Sequence, residues 1–286
     1  MADNRILLVA KELAARLGDS HLAVIDCRFD LADPGAGQRQ YEAAHIPGAV
    51  FLDLDEDLAS PVTRDTGRHP LPEPAAIAAK LGECGISNSD NIVVYDGGNG
   101  SLAARAWWIL RWLGHDAVRL LDGGFAHWQA LGLPTEAGET RQEPVVFHGR
   151  PHPGLVLTTG ELEANQQTIH EYRLLDARDR TRFNGEQEPI DPVAGHIPGA
   201  ISMPFTDFLR PDGTWLPLES RSQRLRKVLG SDPEMAWSVM CGSGVTACHL
   251  AISGLEAGYC EPRVYVGSWS EWIRDPDRPI ATADLV

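Results

Sequence analysis

The chain repeats itself, and that fact limits its possible folds more than any other. Laying the sequence from about residue 8 over that from about residue 157 brings LVAKELAARL onto LTTGELEANQ, AVIDCR onto LLDAR, and AAHIPGAVFLDLDEDL onto AGHIPGAISMPFTDFL. IVVYDGGNG then meets WSVMCGSGV, and LLDGGFAHW meets VYVGSWSEW. The landmark pairs Asp26/Asp176, His45/His196, Asp96/Cys241 and Trp128/Trp272 stand 150, 151, 145 and 144 residues apart, so small loop differences account for the drift. Five segments in one preserved order argue for two copies of one domain.

Within each copy, short apolar runs such as HLAVID, NIVVYD and AVRLLD alternate with helical patterns such as ARAWWILRWLG. This is the rhythm of successive βα units, and it predicts an α/β fold: two tandem domains, each a parallel β-sheet flanked by helices on both faces. Trp107, Trp108 and Trp112 have helical spacing and are read as core. PTEAGETRQEPVVFHGRPHPG is rich in proline, glycine and charge and lacks helical periodicity. The expected boundaries are an N-terminal domain over 1–136, a surface linker over 137–155 and a C-terminal domain over 156–286.

Composition removes several function classes. A formal net charge of −15 repels a phosphate backbone, so no nucleic-acid partner is expected. MADNRILLVAKEL lacks the apolar core and cleavage site of a signal peptide, and no stretch is long enough to span a membrane. Five cysteines, at 27, 84, 241, 248 and 260, are an odd number and do not suggest a disulfide framework. They fit a reducing compartment, and the expectation is a soluble cytoplasmic protein.

The stretch MCGSGVTAC carries the chemistry. As a zinc site it fails: Cys241 and Cys248 are too far apart for a knuckle, no second CxxC pair exists, and no metal is expected. A phosphate loop would need lysine followed by Ser or Thr, where this chain has Val245-Thr246-Ala247. A cysteine phosphatase would need an arginine six residues after the nucleophile, where Ala247 stands. What remains is a thiol at the end of the strand MAWSVM, followed by a glycine-permissive loop and a helix starting near Thr246. Backbone N–H groups and the helix N-terminus would hold negative charge on the Cys241 sulfur. Gly242 and Gly244 allow the turn, and Ser243 and Thr246 add hydroxyls.

The tandem layout, the two HIPGA segments, CGSGVTAC and the GGFxxW and GSWxEW endings closely resemble the two-domain rhodanese superfamily of sulfurtransferases over nearly the whole chain. Within it, CGSGVTAC is similar to the loop of the 3-mercaptopyruvate sulfurtransferases; thiosulfate-specific relatives carry charged residues where Gly242 and Ser243 are neutral. The resemblance implies that Cys241 takes sulfur from 3-mercaptopyruvate, releases pyruvate and passes the sulfur to a thiol such as thioredoxin, or to cyanide, without a cofactor. It implies a relay of Ser243 and His45, with Asp33 as the acidic member, and a donor site formed by Gly242, Gly244, Val245 and Thr246. In DARDRTRFNGEQEP, Arg182 matches the family's carboxylate clamp, with Thr181 in place of a glycine. Ile190 stands where a second arginine is expected, and Arg178 or Arg180 is read as its substitute. Asp96 occupies the nucleophile position of the first domain and cannot carry a sulfane sulfur, so that domain is expected to be silent. Cys27, Cys84, Cys248 and Cys260 are read as packing thiols, and His196 as a turn residue. Thiosulfate as donor, or a persulfide carrier serving a protein partner, are the alternatives. A monomer is expected to suffice.

Overall fold

A computed structural model of the chain describes residues 5–165 and 173–283. Residues 1–4, which open the segment read for a leader, and Gln166 of the repeat alignment lie outside the described residues. The chain forms two compact units. The first comprises Met1–Ser60, Leu71–His152 and Arg210–Trp215, and the second Pro61–Pro70, Pro153–Leu209 and Leu216–Val286.

In the first unit the elements run β1 (Leu7–Leu8), α1 (Ala10–Ala14), β2 (Leu22–Asp26), α2 (Ala36–Ala43), β3 (Val50–Phe51), α3 (Pro74–Glu83), β4 (Asn91–Tyr95), α4 (Ser101–Trp112), β5 (Val118–Leu121) and α5 (Gly124–Ala130). The strands form one parallel sheet in the order β1-β5-β4-β2-β3. Ile92, Val93, Val94 and Tyr95 of β4 are all buried. Successive strand residues point to opposite faces, so both faces of the sheet are covered, as an all-parallel sheet requires.

The second unit repeats the plan: β6 (Val156–Leu157), α6 (Thr159–Ala164), β7 (Leu174–Asp176), α7 (Arg180–Phe183), β8 (Ile201–Ser202), α8 (Leu218–Leu229), β9 (Ser238–Met240), α9 (Ala247–Glu256), β10 (Arg263–Tyr265) and α10 (Ser268–Trp272). Its parallel order, β6-β10-β9-β7-β8, is that of the first sheet position by position. Thr158 and Glu161 close a capping box at the start of α6.

The cores correspond as closely as the sheets. Leu8, Leu13, Val24, Ile46, Tyr95, Leu121, Phe125 and Trp128 cluster in the first unit. At their repeat positions Leu157, Leu162, Leu174, Ile197, Met240, Tyr265, Trp269 and Trp272 cluster in the second. Each such side chain contributes about 1.5–3 kcal/mol on burial, so the repeated apolar pattern is what makes both copies fold alike. Trp107, Trp108 and Trp112 are buried on α4, where their spacing put them.

The contiguous division at 1–136, 137–155 and 156–286 needs correction. Residues 137–152 are bound to the first unit: the N–H groups of Val145, Arg150 and His152 donate to the carbonyls of Gly82, Leu113 and Trp112, and Phe147 is buried. Pro61–Pro70 belongs to the second unit, where the Arg68 N–H donates to Ser270 Oγ at 3.0 Å and Arg274 Nε donates to the Thr66 carbonyl at 3.0 Å. Arg210–Trp215 belongs to the first, where the Trp215 N–H donates to Asp122 at 2.9 Å. Apolar periodicity does not reveal such exchanges because both segments are loops. Among the described residues no helix is long and apolar enough to cross a membrane.

Candidate active site

In the second unit Cys241 lies at the end of β9, and the loop Gly242–Thr246 leads into α9. The loop is pinned by its neighbours. The N–H groups of Trp269 and Ser270 donate to the carbonyls of Cys241 and Gly242 at 3.0 and 2.9 Å. The Cys241 N–H donates to Ser268 Oγ at 3.1 Å, and that hydroxyl donates on to the Tyr265 carbonyl. Ser268 holds a positive φ of 53° to do this. Gly244 has φ +76°, and a Cβ there would stand 2.5 Å from the Val266 carbonyl oxygen, so only glycine fits. Its N–H donates to Cys241 Sγ at 3.1 Å. Val245 is buried behind the loop, and Thr246 makes no side-chain cap to the helix.

Ser243 is buried, and its hydroxyl lies 2.7 Å from Nδ1 of His69. This histidine comes from the Pro61–Pro70 segment that belongs to the same unit. The expectation for His45 is corrected accordingly. His45 is buried in the first unit, where Nδ1 donates to the Tyr41 carbonyl at 2.8 Å and Nε2 faces Glu136 and Thr140 at 3.2 Å. Its repeat partner His196 likewise donates from Nδ1 to the Phe183 carbonyl at 2.8 Å. A geometry that both units share is scaffold, and the HIPGA histidine ties its turn down in each.

Arg178 is corrected on the same reasoning. Its Nε and Nη2 bind Asp176 at 2.7–3.1 Å, Nη2 also donates to the Gly195 carbonyl at 2.7 Å, and its guanidinium lies 4.6 Å from the Trp269 ring centre. Arg28 repeats the arrangement with Asp26, the Ala44 carbonyl and Phe125. Asp33, the expected acidic member of the relay, is exposed in the first unit, where it pairs with Arg39. Arg180 reaches out to Asp207.

Arg182 is placed at the loop. Its Nε bonds both oxygens of Glu188 at 2.9 Å, and its Nη2 donates to Asp191 at 3.0 Å. Burial works to raise the Glu188 carboxyl, but Arg182 and the N–H groups of Asp191 and Ile190 bring it below its ordinary value. Asp191 also pairs with Arg68, yet burial pushes its carboxyl up. A Cβ built on Gly242 would meet Arg68 Nη2 at 2.8 Å and Arg182 Nη2 at 3.4 Å, so two guanidiniums border the residue after the cysteine. Neither His69 nor Arg68 was found by sequence reasoning. The available signal was TRDTGRH, a stretch rich in cations outside the five matched segments.

Cys248 is buried on α9 and donates to the Gly244 carbonyl at 3.3 Å. In the first unit, Asp96 takes the place of Cys241. Its Oδ1 accepts the N–H groups of Gly98 and Gly100 at 2.9 and 3.0 Å, and its Oδ2 those of Leu102 and Ala103 at 2.9 and 3.3 Å. Phe125 and Ala126 anchor that loop as Trp269 and Ser270 anchor the other. Among the described residues no group of three or more His, Cys, Asp or Glu side chains is placed to hold a metal ion.

Known proteins are similar to this chain over most of its length. The family model for the Rhodanese-like domain matches residues 9–131 and again 158–275. A Pseudomonas aeruginosa protein named "Probable 3-mercaptopyruvate sulfurtransferase" is 52% identical over 280 residues, covering 97% of this chain and 98% of its own length. The thiosulfate sulfurtransferase of Mus musculus is 36% identical over 285 residues, covering 94% of this chain and 92% of that one. The crystal structure of SseA from Escherichia coli, described among the 3-mercaptopyruvate sulfotransferases, superposes with a TM-score of 0.81 at 31% identity, over 93% of this chain and all of that one.

Proposed function

The chain belongs in both halves to the rhodanese family, and from that premise we propose that it moves sulfur from 3-mercaptopyruvate, through a persulfide on Cys241, to a thiol acceptor. The observation that carries the reading is the Ser243–His69 contact of 2.7 Å beside a cysteine whose sulfur already accepts a backbone N–H.

The Cys241 thiolate attacks the donor's sulfur, and the S–S bond forms as the C–S bond breaks. The electron pair of the broken bond goes to carbon, giving the enolate of pyruvate and Cys241–S–SH. The enolate carbon must then gain a proton. Ser243 and His69 form the relay that supplies it, because a hydroxyl bonded to an imidazole can give up its proton and be replenished. A thiol acceptor such as thioredoxin, or cyanide, attacks the outer sulfur and restores the thiolate. Arg182 takes the donor's carboxylate, since a guanidinium offers it two parallel N–H donors. Gly242 and Ser243 add no charge to the loop, which favours a singly charged carboxylate over dianionic thiosulfate; the name of the Pseudomonas aeruginosa relative agrees. Asp96 makes the first unit silent, because its carboxylate fills the loop in which a sulfur would sit.

The cysteines among the described residues are free, which supports a reducing, cytoplasmic setting. Cys241, Ser243, His69 and Arg182 come from one chain, which supports a working monomer.

Pyruvate release from 3-mercaptopyruvate, measured beside sulfur transfer from thiosulfate to cyanide, tests the proposal on the unmutated chain, Cys241→Ser and His69→Gln. Faster turnover of mercaptopyruvate, lost in Cys241→Ser and reduced about 10²–10⁴-fold in His69→Gln, is expected. Preference for thiosulfate would overturn the donor. A persulfide that forms once without turnover would favour a carrier.

A further inference from the structure

Ile190 stands where a second arginine was sought, and the two expected substitutes, Arg178 and Arg180, are engaged by Asp176 and Asp207. We propose that Arg68 is that second cation, binding the donor carboxylate together with Arg182; this rests on the sulfur-transfer reading above.

Three observations lead to it. First, Arg68 and Arg182 converge on one point beside Gly242. A methyl group on Gly242 would lie 2.8 Å from Arg68 Nη2 and 3.4 and 3.7 Å from the two Arg182 Nη atoms. The absence of a side chain at Gly242 therefore keeps the edge of the cysteine loop open to both guanidiniums. Second, Asp191 holds the pair in register: one of its oxygens bonds Arg68 and the other bonds Arg182. Fixed this way, the two forks lose little further freedom when a ligand arrives. Third, Arg68 is not fully used by the protein. Its Nη1 bonds Asp191, while its side chain stays 23% exposed and its Nη2 is the atom beside Gly242.

The charges also balance in a way that sets specificity. Arg68 and Arg182 are opposed by Glu188 and Asp191, so the cluster has no net charge and offers directional N–H donors without a strong positive field. That arrangement suits one carboxylate better than a dianion. Ile190, bonded to Glu188 through its N–H, adds no charge of its own. Arg68 directly precedes His69, so one short segment would deliver both a donor-binding group and a relay group to the cysteine loop.

The two half-reactions separate the proposal from a structural role. Loading of Cys241 by 3-mercaptopyruvate involves the carboxylate. Discharge of a Cys241 persulfide, preformed with inorganic polysulfide, to the neutral thiol dithiothreitol does not. In Arg68→Ala, loading is expected to fall about 10–100-fold, as the loss of one charge-assisted contact implies, while discharge stays unchanged. Arg68→Lys should recover part of the loading, and Asp191→Asn should shift the ratio of rates towards thiosulfate. If Arg68→Ala does not fold, Arg68→Gln is read in its place. Unchanged loading in the variant would overturn the proposal, as would an equal fall in loading and discharge. Failure of the unmutated chain to load from mercaptopyruvate is a separate result: it overturns the donor reading and this one with it.

Discussion

Replacing Asp96 with asparagine keeps the shape of the side chain and removes half of its bonding. The carboxylate is 2% exposed and accepts four backbone N–H groups, two on each oxygen. Asparagine retains one oxygen for two of them and turns an NH₂ group towards the other two. Those two N–H groups lose their acceptor, and an unsatisfied buried donor costs about 1–3 kcal/mol, giving roughly 2–4 kcal/mol after partial relaxation of the loop. The favourable placement of a negative charge at the start of α4 is lost as well, worth about 0.3–1 kcal/mol. Melting of the first unit should therefore drop by roughly 5–15 °C. Because two units need not unfold as one, the sharper assay is hydrogen exchange followed by mass spectrometry on the peptide spanning residues 97–110. Its opening free energy should fall by the same few kcal/mol, while peptides of α9 keep their protection. A loss below about 0.5 kcal/mol would show that the four N–H groups find water or another acceptor at little cost, and would refute the reading of this loop as a filled anion hole.

Gly244→Ala should place a methyl group against the Val266 carbonyl and force a residue with φ +76° into a region that costs side-chain-bearing residues about 1–2 kcal/mol. The N–H on Cys241 Sγ then moves, and persulfide formation is expected to drop about 100-fold, read as pyruvate released per second; near-normal rates would mean that the N–H contact is idle. Acid should weaken the fold before the carboxylates titrate. Burial holds His115, His196 and His249 below their ordinary value, so the unfolded chain binds more protons than the folded one below pH 6.5. Their contribution is whole above that pH and is lost as pH falls towards the folded values, at up to about 1.4 kcal/mol per pH unit for each histidine. Urea midpoints between pH 5.0 and 6.5 should rise with pH, and less steeply in His249→Leu; a flat profile would contradict the assignment.

Much of this was legible because repeats carry their own controls. The parallel α/β plan of both units, the helical core tryptophans and the position of Cys241 at a strand end follow from apolar periodicity and from the alignment of Asp96 with Cys241, whereas the strand orders come from the pairing of the strands. His45 and Arg178 were misread for one reason, and His69 and Arg68 were missed for another. His45 and Arg178 sit inside matched segments, and a feature present in both copies, one of them lacking a nucleophile, belongs to the scaffold. His69 and Arg68 sit outside the matched segments, in a loop without periodicity, where pattern reading has nothing to register against. Their roles depend on where the loop ends up in three dimensions, and local sequence does not encode that. Arg182 was recoverable because its RF pair matches an element of the family that the chain resembles, although its neighbours Glu188 and Asp191 became meaningful only with their distances.

The exchange of loops has a consequence for how the protein can be divided. Pro61–Pro70 is encoded in the first half but completes the second unit, and Arg210–Trp215 does the reverse. A cut at the linker would leave Cys241 on one fragment and His69 and Arg68 on the other. The nucleophile would keep its strand, loop and helix, and lose its relay and one of its cations. Two copies of a domain that each complete the other through a borrowed loop are bound to be inherited, expressed and lost together, even though only one of them holds a cysteine at the loop.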